Sequence, residues 1–356
     1  MSLPSPACAL SQLLARHLDA WRQQALSLVA VPGHFQLASI DWSSSLQAPV
    51  SVWTADWRVR MTAVEQQLPV AFVSQQAPSQ LEGRVVVFWP KAREEGYWWL
   101  EQLSAYELDE FYLLGENQGG VKAAAKALEK SGFIVTKLDS ARRCSLYEVI
   151  PPAQGLAEAL PRLPEETYSE GPEGLELFAM PGVFGQGRVD EGSALLIDAL
   201  RADRADLPWQ GSVLDLGCGH GLLGAWLLKQ RPDCQLVASD VSGFALISAK
   251  TTLEINRLEA KWVAADIFKG LEKVCQPASL ELIISNPPFH TGKGTDYELA
   301  ERLIREAPYW LKPGGQLWLV ANRFLPYPDL LEQAFGGFQR RAETGKFIVY
   351  QASKSN

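Results

Sequence analysis

Residues 281–293, ELIISNPPFHTGK, decide the fold that this sequence predicts. Leu282, Ile283 and Ile284 form the uninterrupted apolar run that is typical of a strand buried on both faces of a parallel sheet. The run ends at Asn286 and a proline pair, which cannot donate to a sheet ladder. Ligands bind beyond the carboxyl ends of the strands in open α/β sheets. The stretch therefore predicts a polar binding site directly after this strand.

The residues after the strand indicate chemistry on a planar amine. The side-chain oxygen of Asn286 and the carbonyl of Pro287 would accept hydrogen bonds from an amine that is conjugated to an aromatic ring. Two such acceptors favour the pyramidal amine, the form that attacks a methyl group, so catalysis depends on orientation and fixed dipoles. Phe289 would stack on the base, and His290 is the next candidate for substrate contact. The alternative is a strand that ends in a Pro-Pro turn with one core phenylalanine.

Strands and helices alternate along the second half, which predicts an α/β fold with a doubly wound, mainly parallel sheet. The predicted strands lie at 212–218, 235–242, 261–268, 280–288 and 316–322, with a final strand segment at 338–352. The predicted helices lie at about 221–230, 243–256, 296–310 and 327–335.

The first half repeats this pattern. RVVVFWP at 84–90 corresponds to ELIISNPP at 281–288, and LSLVAVPG at 26–33 corresponds to SVLDLGCG at 212–219. Phe88-Trp89-Pro90 replaces Asn-Pro-Pro, and only Pro32-Gly33 remains of a glycine loop. We interpret the chain as two tandem Rossmann-like domains that arose by duplication, of which the N-terminal copy is degenerate. The alternative is that any two α/β domains look alike at this level.

The predicted domain boundary follows a segment rich in proline and glycine. Residues 151–173 are expected to form a linker. The first domain is then expected at 1–160 and the catalytic domain at 161–356. Within the first domain, strands are predicted at 26–31, 50–54, 70–73, 84–91, 111–117, 132–136 and 145–150, and helices at 14–26, 97–104 and 121–130.

A glycine loop and three acids mark a cofactor site. The loop DLGCGHG at 215–221 contains the candidate cofactor-binding glycines Gly217, Gly219 and Gly221, which allow close approach of the backbone to a ligand. A nicotinamide cofactor is the obvious rival for such a loop. Asp215 is placed for the amino acid end of S-adenosyl-L-methionine, Asp240 for its ribose hydroxyls, and Asp266 with Ile267 for its adenine. Each acid alone would more often be a helix cap.

Composition limits the class of protein. The chain has 356 residues, 47% of them hydrophobic, and a net charge of −8, which argues against a general nucleic-acid coat but allows a local basic patch. The five cysteines have no metal-ligand spacing, so we expect a reduced cytoplasmic protein without a metal site. The start lacks the basic region of a leader, and no apolar run approaches a membrane span. We expect a monomer.

Motifs in both halves are shared with one known family. In the second half these are MPGVFGQGRVDEGSALL, VLDLGCGHG, SNPPFHTG, VANRFLPYP and TGKFIVY, and in the first half FWPK, GENQGGVKAA and DSARRCSLY. They resemble the ribosomal RNA small subunit methyltransferase C family. The resemblance covers nearly the whole chain, and the DSARRC and FLPYP segments are the most particular. His220 departs from many relatives, which have a small residue there.

The resemblance implies an activity. It implies two methyltransferase-like domains, of which only the second binds S-adenosyl-L-methionine, and methyl transfer to the exocyclic N2 of one guanine, guanine 1207, in 16S rRNA of the small ribosomal subunit. Asn286 would then belong to both the catalytic and the cofactor-binding residues. One alternative is an amino-methyltransferase that acts on adenine N6 or a protein glutamine. Another is a ribosome-binding assembly factor without catalysis.

The first domain is expected to hold the RNA. Two basic pairs follow or precede its predicted strands, Lys91 with Arg93 and Arg142 with Arg143. Arginine's planar fork suits phosphates and base edges. The alternative is that these side chains form a solvated face.

Overall fold

The computed structural model describes residues 8–160, 167–185, 188–203, 211–287 and 294–355. The chain divides into two compact units, at residues 1–165 and 166–356. None of the described helices is long and apolar enough to cross a membrane.

The first unit contains six α-helices and seven strands among its described residues. The helices are α1 (Ala9–Leu18), α2 (Trp42–Ser45), α3 (Trp57–Glu65), α4 (Arg93–Leu103), α5 (Val121–Lys130) and α6 (Leu156–Ala159). The strands are β1 (Leu26–Val29), β2 (Val50–Thr54), β3 (Val70–Phe72), β4 (Arg84–Phe88), β5 (Phe111–Glu116), β6 (Ile134–Ala141) and β7 (Cys144–Ile150).

The second unit adds five α-helices and nine strands over its described part. The helices are α7 (Glu191–Ala202), α8 (Leu222–Gln230), α9 (Gly243–Ile255), α10 (Gly294–Trp310) and α11 (Tyr327–Phe335). The strands are β8 (Thr167–Glu170), β9 (Glu176–Ala179), β10 (Gly211–Leu216), β11 (Cys234–Asp240), β12 (Lys261–Ala264), β13 (Leu280–Ser285), β14 (Leu311–Asn322), β15 (Gln339–Glu343) and β16 (Phe347–Ser353).

The two large sheets have the same topology. Their strand orders are β3-β2-β1-β4-β5-β7-β6 and β12-β11-β10-β13-β14-β16-β15. In each sheet five parallel strands are extended by an antiparallel pair at one edge. The identical order confirms the predicted duplication and the doubly wound α/β class. In the second sheet the order reverses at β10, which lies between β11 and β13.

The core of the second unit explains the apolar runs in its strands. Successive residues of a strand point to opposite faces of the sheet. Ile283 belongs to one buried cluster, whereas Leu282 and Ile284 belong to another. Because both faces are covered, each of these side chains is buried, and full burial of such a side chain is worth about 1.5–3 kcal/mol.

Several predicted boundaries were wrong. Helix α1 begins at Ala9 and ends at Leu18, where a helix over 14–26 was expected, because the chain turns at 19–24 to enter β1. The expected linker at 151–173 contains α6 and also β8, which pairs with β9 in an antiparallel hairpin. That hairpin packs against α9, so it belongs to the second unit.

Candidate functional site

The carboxyl ends of β10, β11 and β13 lie side by side at one edge of the second sheet. β10 runs parallel to both neighbours, and the buried Ser285 at the end of β13 donates a hydrogen bond of 2.7 Å to the carbonyl of Leu216 at the end of β10. The reversal of strand order at β10 makes this edge the expected ligand position in an open α/β sheet. Asp215 and Asp240 lie in the last two residues of β10 and β11, and Asn286 directly follows β13. Asp266 and Ile267 follow β12, the next strand beyond β11, so these predicted residues lie along the same edge of the sheet.

The glycine loop after β10 needs its glycines. Gly217, Gly219 and Gly221 have φ angles of 73°, 52° and 83°, in the left-handed region that favours glycine. A Cβ on Gly221 would lie 2.9 Å from Cα of Ala249 on α9, whereas a Cβ on Gly217 would meet nothing within 4 Å. Gly221 therefore lets α8 begin close against α9, and Gly217 faces open space at the sheet edge.

Asp240 is held in place by two backbone donors. One carboxylate oxygen accepts from the N–H of Gly219 at 3.0 Å, and the other accepts from the N–H of Ser242 at 2.9 Å. Hydrogen bonds to an ionised carboxylate are among the stronger ones in proteins. Asp240 thus ties the glycine loop to the start of α9 at the carboxyl end of β11. Its predicted ribose contact stays a prediction.

Asp266 follows β12 and has a partner that sequence reasoning missed. Its carboxylate accepts from the guanidinium of Arg302 on α10 at 3.1 Å. Its backbone exchanges hydrogen bonds of 3.1 Å in both directions with Lys269. The next residue, Ile267, is buried with a φ of 57°, a conformation that is costly for a β-branched side chain. The paired backbone holds this turn, and the predicted adenine contact of both residues stays a prediction.

Asp215 is buried beneath the glycine loop. It is 1% exposed, and one carboxylate oxygen accepts from the N–H of Gly224 on α8 at 2.9 Å. The other oxygen has no hydrogen-bond partner among the described residues. Burial raises the pKa of this carboxyl to about 7, because a charge there would be poorly solvated. The predicted contact with the amino acid end of a cofactor stays a prediction.

His220 fills the space under the segment that leads to α7. Its side chain is buried, and burial lowers its pKa, although Asp190 acts in the opposite direction. A Cβ on Gly185 would lie 2.6 Å from Nε2 of His220, and Gly185 has a φ of 83°. The imidazole of His220 therefore packs directly against the Gly185 backbone.

Asn286 is oriented by α7. Its amide nitrogen donates to a carboxylate oxygen of Asp190 at 3.0 Å and to the hydroxyl of Ser193 at 2.9 Å. The same Asp190 oxygen caps α7 by accepting from the N–H groups of Gly192 and Ser193, both at 3.0 Å. A carboxylate only accepts, so the amide nitrogen must face Asp190. The amide oxygen of Asn286 is thereby left for another donor, and its contact with a substrate amine stays a prediction.

Sequence reasoning missed Asp190 and Ser193. The capping pattern Asp-Glu-Gly-Ser before an apolar run at 194–197 could have indicated the start of a helix. Pro287 is buried beside Asn286. Pro288 and the candidates Phe289 and His290 lie outside the described residues.

Comparison with known proteins decides the family. The model described as Methyltransferase small domain matches residues 174–351, and Methyltransferase small domain N-terminal matches residues 11–155. The chain is 39% identical to Ribosomal RNA small subunit methyltransferase C of Chromohalobacter salexigens, covering 100% of this chain and 99% of the relative. It is 35% identical to the protein of that name from Proteus mirabilis, covering 99% of this chain and 100% of the relative.

This chain belongs to the ribosomal RNA small subunit methyltransferase C family. The resemblance drawn from the motifs is therefore confirmed. A solved structure has the same fold, with a TM-score of 0.78 at 23% identity over 98% of this chain and 92% of that one. It is a T. thermophilus 16S rRNA N2 methyltransferase for guanine 1207, in complex with AdoMet and guanosine.

In this family member the first unit lacks the three carboxylates and the side-chain amide of the site. Equivalent main-chain hydrogen bonds align the two copies. The N–H of Ala30 donates to the carbonyl of Trp53 in the first unit, and the N–H of Gly217 donates to the carbonyl of Ser239 in the second. The aligned positions of Asp215, Asp240, Asp266 and Asn286 hold Leu28, Thr54, Ser74 and Phe88. Thr54 is fully buried and donates to the carbonyl of Val31 at 2.8 Å. The first copy is degenerate, as predicted.

The basic candidates of the first unit lie at the carboxyl edge of its own parallel strands. Lys91 follows β4 and is exposed. Arg93 begins α4, is 74% exposed and pairs with Glu94 at 3.0 Å. Arg142 and Arg143 are exposed and form the two-residue turn between β6 and β7, with φ angles of 50° and 65°. Their contact with RNA stays a prediction.

Proposed function

We propose that this protein transfers the methyl group of S-adenosylmethionine to the exocyclic N2 of a guanine in 16S rRNA. The observation that carries the proposal is the Asn286 amide, locked by Asp190 and Ser193 at the strand end beside the glycine loop. The full-length family relationship favours this activity over adenine N6 or glutamine methylation and over an assembly factor without catalysis.

The residues present fit the cofactor. The backbone at Gly217 borders open space, which suits close approach of a ligand. Asp240 would accept from the ribose hydroxyls, and Asp266 with Ile267 would line the adenine. S-adenosylmethionine supplies an electrophilic methyl group on a sulfonium. The described residues contain no group of three or more His, Cys, Asp or Glu side chains that could hold a metal.

The chain's own residues position the amine and remove no proton themselves. The Asn286 oxygen and the Pro287 carbonyl would accept from the two N–H bonds at guanine N2, so the lone pair of that nitrogen points along the line of attack. The N–CH₃ bond forms as the S–CH₃ bond breaks. The methylated amine then loses one proton to water. Asn286 has no acid–base function in this sequence, and orientation with fixed dipoles is the source of catalysis.

The proposed substrate is more specific than the family relationship alone implies. We propose that the substrate is 16S rRNA within the small ribosomal subunit, at the guanine 1207 named for the T. thermophilus relative. We also propose that the protein acts as a monomer in the cytoplasm, that its first domain is the RNA-holding half of residues 1–160, and that the second, at 161–356, is catalytic. The support for the division of roles is the absence of the three carboxylates and the side-chain amide from the first copy.

The test is labelling with a tritiated methyl donor. Small subunits that lack the modification and naked 16S rRNA are incubated separately with the protein, and the labelled nucleoside is identified. N2-methylguanosine at one position, formed faster in the subunit, is the expected result. Label at adenine N6 or on protein, or no label in either substrate, would overturn the proposed reaction.

A further inference from the structure

The loop after β14 presents an aromatic ring to solvent beside the site. Phe324 is 86% exposed, more than any other large hydrophobic side chain in the described residues. It comes two residues after the end of β14, and β14 is the sheet neighbour of β13, the strand that Asn286 directly follows. Leaving a ring of this size in water gives up the stabilisation that burial would provide. The ring therefore contributes little to the fold of this unit.

The backbone under this ring is fixed. The N–H of Arg323 donates to the carbonyl of Lys346 at 2.9 Å, and its guanidinium donates to the carbonyl of Thr344 at 3.1 Å. The side-chain oxygen of Asn322 accepts from the N–H of Phe324 at 3.3 Å. The loop is thus hydrogen-bonded to the connection between β15 and β16, and the backbone that carries Phe324 is fixed by these bonds.

A series of contacts connects this turn to the site. The amine of Lys346 lies 3.1 Å from the carboxylate of Glu191, the first residue of α7. The residue before it, Asp190, holds the amide of Asn286 at 3.0 Å. Phe324 and Asn286 therefore lie on the same edge of the same sheet, connected through the start of α7.

The charges around the ring favour RNA over an apolar protein partner. Arg323 is exposed, and Lys346 forms an ion pair in which both side chains are more than half exposed. Such surface pairs exchange partners at little cost. Arg323 adjoins Phe324 in the chain, and Lys346, whose ammonium also lies 5.0 Å from the centre of the Phe347 ring, is bonded to the same loop through its backbone carbonyl. An exposed aromatic ring on a surface with two cations suits single-stranded RNA, because a base stacks on the ring while the cations meet the phosphates.

We propose that Phe324 stacks on a nucleotide next to the target guanine, while Arg323 and Lys346 contact its phosphates. The inference rests on the proposed function, since it takes RNA as the substrate. It adds a second contact outside the pocket of the target base. This contact would hold the flanking strand while one guanine is unstacked and placed against Asn286.

The chain offers a matched control on the opposite edge of the same sheet. Tyr309 is 62% exposed, and its carbonyl accepts from the N–H of Ala278, just before β13 begins. Phe324→Ala and Tyr309→Ala each remove one exposed ring, and they differ in which sheet edge they affect. Phe324→Trp restores a stacking surface, whereas Phe324→Leu restores apolar area without a ring.

The measurement is kcat/KM for methylation of the small subunit, with cofactor binding measured by calorimetry. Phe324→Ala is expected to lower kcat/KM roughly 5- to 150-fold, the range that corresponds to the loss of one base–aromatic stack. The loss should appear as a higher KM, and Phe324→Leu should show the same loss. Phe324→Trp should recover most of the parent kcat/KM, and Tyr309→Ala should match the parent. Cofactor affinity should match the parent in all four variants.

Three results would overturn the inference. They are parent-like methylation by Phe324→Ala, parent-like methylation by Phe324→Leu, and a loss of cofactor affinity in Phe324→Ala that accounts for its defect. A parent protein that labels no guanine would instead sink the proposed function. The two failures are therefore distinguishable within one series of assays.

Discussion

At the residue scale, Asn286 carries the proposed chemistry, and its replacement gives the first prediction. Asn286→Ala should keep cofactor affinity and lower kcat by about 10²–10³, because it removes one preorganised polar group from the transition state. Single-turnover methylation and calorimetry with S-adenosylmethionine measure the two quantities. Loss of cofactor binding together with activity would indicate that Asn286 contacts the cofactor or has a structural role.

Ser193 provides a test of orientation. Ser193→Ala removes one of the two acceptors of the Asn286 amide nitrogen and leaves the Asp190 cap of α7 in place. One such hydrogen bond is worth about 0.5–1.5 kcal/mol, so kcat should fall roughly 2- to 10-fold. In the Asn286→Ala background the same change should have no further effect, because Ser193 acts through Asn286. Additive losses in the double variant would contradict this role.

Asp215 predicts how stability depends on pH. Its folded pKa of about 7 lies above the ordinary value of 3.8, so the folded protein keeps a proton that the unfolded chain releases. Stability is therefore expected to fall as the pH rises between these two values, by up to about 1.4 kcal/mol per pH unit. Asp215→Asn should remove this slope from the free energy of unfolding measured in urea at a series of pH values.

The exposed Asp233 is the control for that series, and Asp233→Asn should keep the parent slope. Glu95, whose pKa burial also raises to about 7, lies in the first unit and contributes equally to parent and variants. A slope that is unchanged in Asp215→Asn would show that Asp215 is ionised in the folded protein across this range.

At the element scale, the start of α8 separates the two uses of glycine. Gly221→Ala combines a left-handed backbone, which costs about 1–2 kcal/mol, with a Cβ placed 2.9 Å from the α9 backbone. Gly217→Ala has only the backbone cost, because its Cβ enters open space. Thermal unfolding should show the larger loss of stability for Gly221→Ala. For Gly217→Ala, calorimetry should show a loss of cofactor affinity that is large compared with its small loss of stability. Equal losses of stability would contradict the packing argument.

The strands were more predictable from sequence than the helix that orients the site. β2, α5 and α11 have the predicted boundaries, and β11 and β13 begin within one residue of them. These elements have strong local signals, either continuous apolar runs or high helix propensity. Their carboxyl ends place Asp240 and Asn286 at one sheet edge, so the cofactor side of the site followed from local pattern and fold class.

The contacts of α7 were beyond local pattern. Asp190 and Ser193 lie 96 and 93 residues before Asn286 in the chain. The ion pair of Asp266 with Arg302 likewise spans 36 residues. Such pairings depend on how the helices pack on the sheet. A single sequence contains the residues but no local signal of which of them meet.

At the scale of the whole molecule, the two copies share a fold but differ in the residues at the candidate site. Both copies keep the strand order and the left-handed turn after the first strand, at Ala30 and at Gly217. Only the second has carboxylates and an amide at the aligned strand ends, where the first has Leu28, Thr54, Ser74 and Phe88. A buried leucine and phenylalanine at positions 28 and 88 stabilise the first copy as core. The carboxyl edge of the first copy instead carries the exposed basic residues Lys91, Arg93, Arg142 and Arg143. They form a local basic group in a protein whose net charge is −8.

The last prediction concerns these cations. Arg142→Glu with Arg143→Glu reverses two charges at the exposed β6–β7 turn and should leave cofactor affinity unchanged. RNA affinity should fall, and the slope of log affinity against log salt concentration should become shallower by the amount that about two phosphate contacts contribute. Lys126→Glu with Lys130→Glu on the exposed face of α5 makes the same change in net charge and serves as the control. If both double variants shift RNA affinity equally, overall charge is the cause. If neither shifts it, the turn does not contact RNA, because two lost phosphate contacts would change the salt dependence measurably.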